Sequence, residues 1–170
     1  MTDGLTVPAD VVDAVLAHAR AELPNEACGL LAAPRATGLV RRYHPARNAL
    51  ASRYAYEVHA EDLVRITYAI EADGDVLAAI VHSHPSTPPV PSARDIREAA
   101  YPVVLLIVGL PDGGAPSLRG WRIESGRARE VSVWIEPAQQ LPIDRWSAIS
   151  PRPVSRTRST PHDPSSPPER

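Results

Sequence analysis

Val76-Leu77-Ala78-Ala79-Ile80-Val81-His82-Ser83-His84-Pro85 decides how this chain folds. The apolar run at its start reads as a buried strand. Side chains alternate across a strand, so His82 and His84 share a face and point into one pocket. Pro85 lacks the N–H that a ladder needs, and the strand ends there. Ser86-Thr87-Pro88-Pro89-Val90-Pro91 follows as a stiff loop. Ser92-Ala93-Arg94-Asp95 then opens a helical pattern that continues through Ile96-Arg97-Glu98-Ala99-Ala100. A strand end and a helix start thus offer two imidazoles and a carboxylate. A catalytic zinc uses such a three-ligand set, with a fourth position left for water. Each part also has a plainer reading. A buried histidine is most often a hydrogen-bonded core residue. Ser92-x-x-Asp95 is a capping-box variant, with the Ser92 oxygen on the first turn and Asp95 in its positive field. The conjunction of four polar positions, where a strand hands over to a helix, favours the metal site.

Outward from this stretch the elements alternate. Residues 8–23 predict an amphipathic helix: Val11, Val12, Val15, Leu16 and Ala19 recur at helical spacing, Pro8 suits the first turn, and Pro24 helps end it. Residues 27–33 read as a short apolar strand, and 39–44 and 53–58 as two more. Residues 60–72 predict a second helix with Leu63, Ile66, Thr67 and Ile70 on one face. Asp73-Gly74-Asp75 turns the chain into the His82 strand. Residues 103–110 are almost wholly apolar, as a central strand is. Pro111-Asp112-Gly113-Gly114 is a loop. Residues 118–123 and 128–135 read as a hairpin around Ser125-Gly126. The fold class is α/β, a mixed β-sheet flanked by helices.

His-x-His, seven residues, then Ser-x-x-Asp resembles the JAMM motif of the MPN (Mov34/PAD-1) metallopeptidases. The family's motif adds an upstream glutamate, and Asn25-Glu26-Ala27-Cys28-Gly29-Leu30-Leu31, directly after the first helix, offers Glu26. Asn48, the stretch Tyr54-Ala55-Tyr56-Glu57-Val58 and the helix at 61–71 also resemble the small prokaryotic members. The resemblance spans residues 5–136. It implies the MPN/JAB (cytidine-deaminase-like) architecture and one zinc on His82, His84 and Asp95. It is strongest to the bacterial branch acting on ubiquitin-like sulfur-carrier proteins, including one that releases cysteine from a carrier's C-terminus.

Zinc on those residues lowers the pKa of its water to about 7. Glu26 is the candidate base, taking a proton in the attack and returning it to the leaving amine. Without the resemblance it reads as a surface glutamate past a helix end. The Ser92 hydroxyl is the candidate donor to the oxygen of the tetrahedral intermediate, a role worth about 3 kcal/mol. Ser83 points to the opposite face and reads as bonded to backbone. Cys28 reads as a small buried hydrophobe. His18, His44, His59 and His162 read as structural or solvated. Arg41, Arg42, Arg47, Arg53, Arg94 and Arg97 are either solvated faces or a grip for a substrate carboxylate or an acidic carrier.

The chain has 170 residues, enough for one domain with a real core, and a formal net charge of -2. That charge favours neither nucleic acid nor a membrane surface. All 18 basic residues are arginines. Met1-Thr2-Asp3-Gly4 has no basic start or long apolar run, so no signal peptide or transmembrane span is expected. A single cysteine, Cys28, excludes an internal disulfide and fits a reducing cytoplasm. Eight of the 19 prolines lie from Pro137 onward, among many Ser, Thr and Arg residues. This predicts a domain at 1–136 and a mostly disordered tail at 137–170, with Leu141, Ile143 and Trp146 as candidates to dock. Three functions stand open. One is a zinc peptidase that cuts after the Gly-Gly of a ubiquitin-like carrier, releasing cysteine or a lysine side chain. The second is a metal-free MPN scaffold, against which the full ligand set argues. The third is a DNA-repair-associated RadC-type protein, which the charge balance disfavours. The sequence does not fix the oligomeric state, and a homodimer is among the expectations.

Overall fold

The computed structural model describes residues 4–112 and 114–137. Among these the order is β1(Gly4–Pro8), α1(Ala9–Ala21), β2(Cys28–Pro34), β3(Arg42–Ala46), α2(Ala60–Ala72), β4(Asp75–His84), α3(Ala93–Glu98), β5(Val104–Gly109), β6(Ser117–Glu124) and β7(Arg127–Glu136). The strands form one sheet in the order β1-β7-β6-β5-β4-β2-β3. β4–β5 and β1–β7 are parallel and the other pairs antiparallel, so the sheet is mixed as predicted.

Strand alternation divides the core. On one face α1 lays Val11, Val12 and Val15 on Leu31, Ala79, Val81, Leu106 and Val108. On the other, α2 lays Ile66 and Ile70 on Cys28, Leu30 and Ala32. Full burial of an isoleucine stabilises by about 1.5–3 kcal/mol. Beyond α2, Leu105, Ile107 and Trp121 form a third cluster. β5 is buried along its whole length between β4 and β6, which explains its unbroken apolar sequence.

Several boundaries differ from the sequence expectation. Residues 4–8 form a strand that the reading omitted; Leu5 and Val7 are buried by pairing with β7. Pro8 therefore ends β1 and caps α1 in an extended conformation instead of sitting in its first turn. The strand expected at 39–44 lies at Arg42–Ala46, and Leu39 makes only an isolated bridge to Thr6. No strand forms at 53–58. The segment wraps around the Asn48 side chain, whose Oδ1 accepts from the N–H of Leu50 (3.0 Å) and Glu57 (3.1 Å) and whose Nδ2 donates to the Ala55 carbonyl (3.0 Å). A side chain takes the bonds that a ladder would have used. α3 stops at Glu98, short of the expected Ala99-Ala100. The hairpin forms as expected. Ser125 (φ 50°) and Gly126 (φ 72°) supply the paired positive φ values of a type I′ turn. Residues 138–170, with His162, lie outside the described residues. Among the described residues no helix is long and apolar enough to cross a membrane.

Candidate metal centre

β4 sends Ile80 to the α2 side of the sheet, and the two-residue period carries His82 and His84 along the same row. The site therefore stands at the carboxyl end of a parallel strand pair, where open α/β sheets place their ligands. Cys28 on β2 pairs with His82. One step further, the Ser83 N–H donates to the Ala27 carbonyl (3.0 Å) and its Oγ accepts from the Ala27 N–H (2.8 Å). Ser83 is thus bonded to backbone, as expected. Continued another step, this register sets Glu26 across from His84. Glu26 is 5% exposed. Its N–H donates to the Ser52 carbonyl (2.8 Å), and its carbonyl accepts from Asn48 Nδ2 (3.0 Å).

His82 Nε2 lies 3.1 Å from His84 Nε2 and 3.6 Å from Asp95 Oδ1, and His84 Nε2 lies 3.8 Å from Asp95 Oδ2. Three donors bound tetrahedrally at zinc distances would stand roughly 3.3–3.6 Å apart, a range these distances bracket, with the two histidines measured to different oxygens of Asp95. Among the described residues this is the one group of three metal-ligating side chains gathered so closely. The capping box is real and is what aims the carboxylate. The Ser92 N–H donates to Asp95 Oδ2 (2.6 Å), and the Asp95 N–H donates to Ser92 Oγ (3.1 Å). The capping reading of Ser92-x-x-Asp95 therefore holds, and the same turn brings the Asp95 carboxylate beside His82 and His84. His84 Nδ1 lies 2.8 Å from the Pro88 carbonyl. A carbonyl only accepts, so Nδ1 carries the proton and, in the neutral ring, Nε2 keeps a lone pair for a cation. His82 stacks on Tyr56 at 4.3 Å, and its buried Nδ1 has no hydrogen-bond partner.

Charge states follow from burial and neighbours. Complete burial pushes His82 down, toward the neutral ligand form. Burial also acts to lower His84, but Asp95 and the Pro88 carbonyl outweigh it and leave that ring raised. The two histidines move apart because His82 is the more deeply buried, while His84 also has the Pro88 carbonyl on its second nitrogen and Glu26 nearby. Burial alone would raise Asp95, yet the bonds from His82 and His84 hold it well below the usual carboxylate range. Burial pushes Glu26 up to about 7, against the attraction of His84. A carboxyl titrating near neutrality suits a general base.

Ser92 is exposed, its oxygen accepts the capping bond, and its hydroxyl lies against the Asp95 carboxylate, which it helps hold low. Burial raises the Cys28 thiol to about 12, which makes it inert. His18 meets the Tyr43 hydroxyl at 2.8 Å, and neither His44 nor His59 joins the metal group. Arg41 and Arg42 pair with Asp75 and Asp73, and Arg47 with Asp62. Arg53 lies over the Tyr54 ring. Arg94, whose Nε donates to Glu98 at 2.8 Å, lines a cavity of about 670 Å³ that reaches Asp95 between α2 and β5, with Tyr56, Leu63 and Leu105. Two participants escaped the sequence reading: the Tyr56 stack on His82, and the Trp121 bond to Pro89 beside His84. No local pattern signals the second, because Pro89 and Trp121 are 32 residues apart.

A family model described as prokaryotic homologs of the JAB domain matches residues 8–124. The chain is 38% identical over 137 residues to a desampylase of Haloferax volcanii, covering 78% of this chain and 96% of that one. It is 35% identical over 130 residues to the CysO-cysteine peptidase of Mycobacterium tuberculosis, covering 76% and 89%. A solution structure of a Desulfitobacterium hafniense protein matches with a TM-score of 0.72 and 31% identity, covering 78% of this chain and 93% of that one. The crystal structure of a JAB1/MPN domain protein from Archaeoglobus fulgidus matches in fold, with a TM-score of 0.52 and 17% identity over 78% and 97%.

Proposed function

This chain belongs to the prokaryotic JAB-domain family, and from that premise we propose that it hydrolyses the amide bond after the C-terminal Gly-Gly of a ubiquitin-like or sulfur-carrier protein. It is a metallopeptidase of the JAMM type. The observation that carries the proposal is the convergence of His82, His84 and Asp95 at ligand spacing, with buried Glu26 across from His84. His82, His84 and Asp95 would hold zinc, which would supply a Lewis acid and lower the pKa of water to about 7. Glu26 takes the proton of the attacking water and returns it to the leaving amine. The Ser92 hydroxyl donates to the carbonyl oxygen as negative charge develops there, a contribution of about 3 kcal/mol. Tyr56 and the Ala27–Ser83 pair hold the first histidine, and the Pro88 carbonyl fixes the tautomer of the second.

Glycine beside the cut lets the substrate backbone approach the site closely. Kinship with the CysO-cysteine peptidase supports cysteine as the leaving group. Arg94, beside Asp95, offers a cation for the carboxylate of that cysteine. The lone buried thiol, Cys28, suits a reducing cytoplasm as the location. A scaffold that only binds partners needs neither three converging ligands nor Glu26.

The test is a carrier ending in Gly-Gly-cysteine, followed by mass spectrometry. The expected product has lost one cysteine residue, with chelator abolishing the cut and zinc restoring it. If only a Gly-Gly-lysine isopeptide is cut, the peptidase stands and the cysteine-releasing role falls. Survival of both adducts contradicts the proposal.

A further inference from the structure

The loop at 85–91 contributes no ligand, yet it joins His84 to the Ser92–Asp95 turn and so governs where they stand. Two of its successive carbonyls are held by side chains. The Pro88 carbonyl accepts from His84 Nδ1 at 2.8 Å. The Pro89 carbonyl accepts from the indole Nε1–H of Trp121 at 2.9 Å, a buried bond. Trp121 sits on β6 and packs with Leu105 and Ile107 of β5. The Arg119 guanidinium stands 4.7 Å over its ring. Glu130 on β7 accepts from Arg119 Nε at 2.7 Å, which holds the guanidinium in place. From below, the loop rests on the end of β5, where a Cβ on Gly109 would meet Pro89 Cδ at 2.8 Å.

We infer that Trp121 is a positioning residue for the metal centre: its indole N–H pins the Pro89 carbonyl, and through the Pro88 carbonyl this keeps His84 Nε2 aimed at His82 and Asp95. The inference rests on the metal-centre reading above. Proline fixes φ at both positions and leaves only ψ to absorb a shift, and the Val90 N–H, which also donates to the Pro88 carbonyl (2.8 Å), closes the Pro88–Val90 turn so that a shift at Pro89 moves Pro88 with it. A ligand histidine depends on the partner of its second nitrogen, and loss of such a partner typically lowers metal affinity 10–100-fold. Here that partner is a backbone carbonyl, and Trp121 is the side chain that holds the loop carrying it.

Trp121→Phe keeps an apolar ring under Arg119 and removes the donor. Zinc affinity of the full chain, measured by chelator competition, should fall about 10–100-fold. The melting temperature of the metal-free variant should stay within a few degrees of wild type. Gly109→Ala pushes the same loop from the β5 side and should also weaken zinc binding. A third measurement needs no variant. The Trp121 indole proton of the wild-type chain should exchange slowly and shift on addition of one equivalent of zinc, whereas that of Trp134, which is 50% exposed, should do neither. Wild-type zinc affinity in a folded Trp121→Phe chain overturns the inference and leaves the metal centre standing. So does a Trp121 indole that exchanges freely and ignores zinc. Failure of the wild-type chain to bind zinc overturns both.

Discussion

Glu26 and Ser92 occupy different chemical positions, and their substitutions should separate accordingly. Glu26 is buried across from His84 and is not one of the three side chains that could hold a metal. Glu26→Gln should therefore keep zinc while turnover falls by orders of magnitude. Near-normal turnover would assign the proton to another group. Ser92→Ala keeps the backbone N–H that donates to Asp95, so zinc should stay. It removes one hydroxyl donor, so turnover should fall by about 10²–10³, less than for Glu26→Gln. It also removes the oxygen that caps α3, which costs about 1 kcal/mol, so the assay belongs well below the melting temperature. His82, His84 and Asp95 were legible because strand alternation and a loop of fixed length bring them together from one short stretch. Glu26 was not: its register depends on β2 pairing with β4, and only the resemblance singled it out. Tyr56 was hidden for a similar reason. It reaches His82 from a segment whose path is set by the Asn48 side chain.

At the scale of elements, α2 is fixed at its start and along its inner face. Asp62 Oδ2 accepts from the Arg47 backbone N–H and from Arg47 Nε, both at 2.9 Å, and its Oδ1 accepts from Arg65 at 3.1 Å. These bonds, the Arg47 side chain first, hold the Asp62 carboxyl well below its ordinary value of 3.8. A lowered folded-state pKa adds stability above the ordinary value and loses it as pH falls toward the folded one. The difference in melting temperature between wild type and Asp62→Asn should hold steady from pH 5 to 8 and shrink below about pH 4. A difference that grows in acid would contradict this. On the inner face, Ile66 is fully buried, and Ile66→Ala should cost about 2–5 kcal/mol in denaturant unfolding. α2, β4, β5 and the hairpin were legible because each carries its own period or an unbroken apolar run. β1 was missed because five residues that begin with a glycine and end with a proline give a weak local signal, and its partner is the last strand. Residues 53–58 misled in the opposite direction: Tyr54, Tyr56 and Val58 favour strands, but Asn48 binds their backbone instead.

At the scale of the molecule, two faces of one curled sheet carry separate helices, and the site opens on the α2 side at the ends of β4 and β5. We propose from its Pro/Ser-rich composition that the segment after Ser150 adds little to folding. A chain ending at Ser150 should melt within a few degrees of the full one; a large drop would show that the tail contributes to the core. All the proposed chemistry depends on our proposal that His82, His84 and Asp95 hold a metal. Elemental analysis of purified protein tests this most directly, comparing wild type with the His82→Ala/His84→Ala double variant after dialysis. Close to one zinc per wild-type chain and none in the double variant is the predicted result. Full zinc retention in the double variant would contradict it.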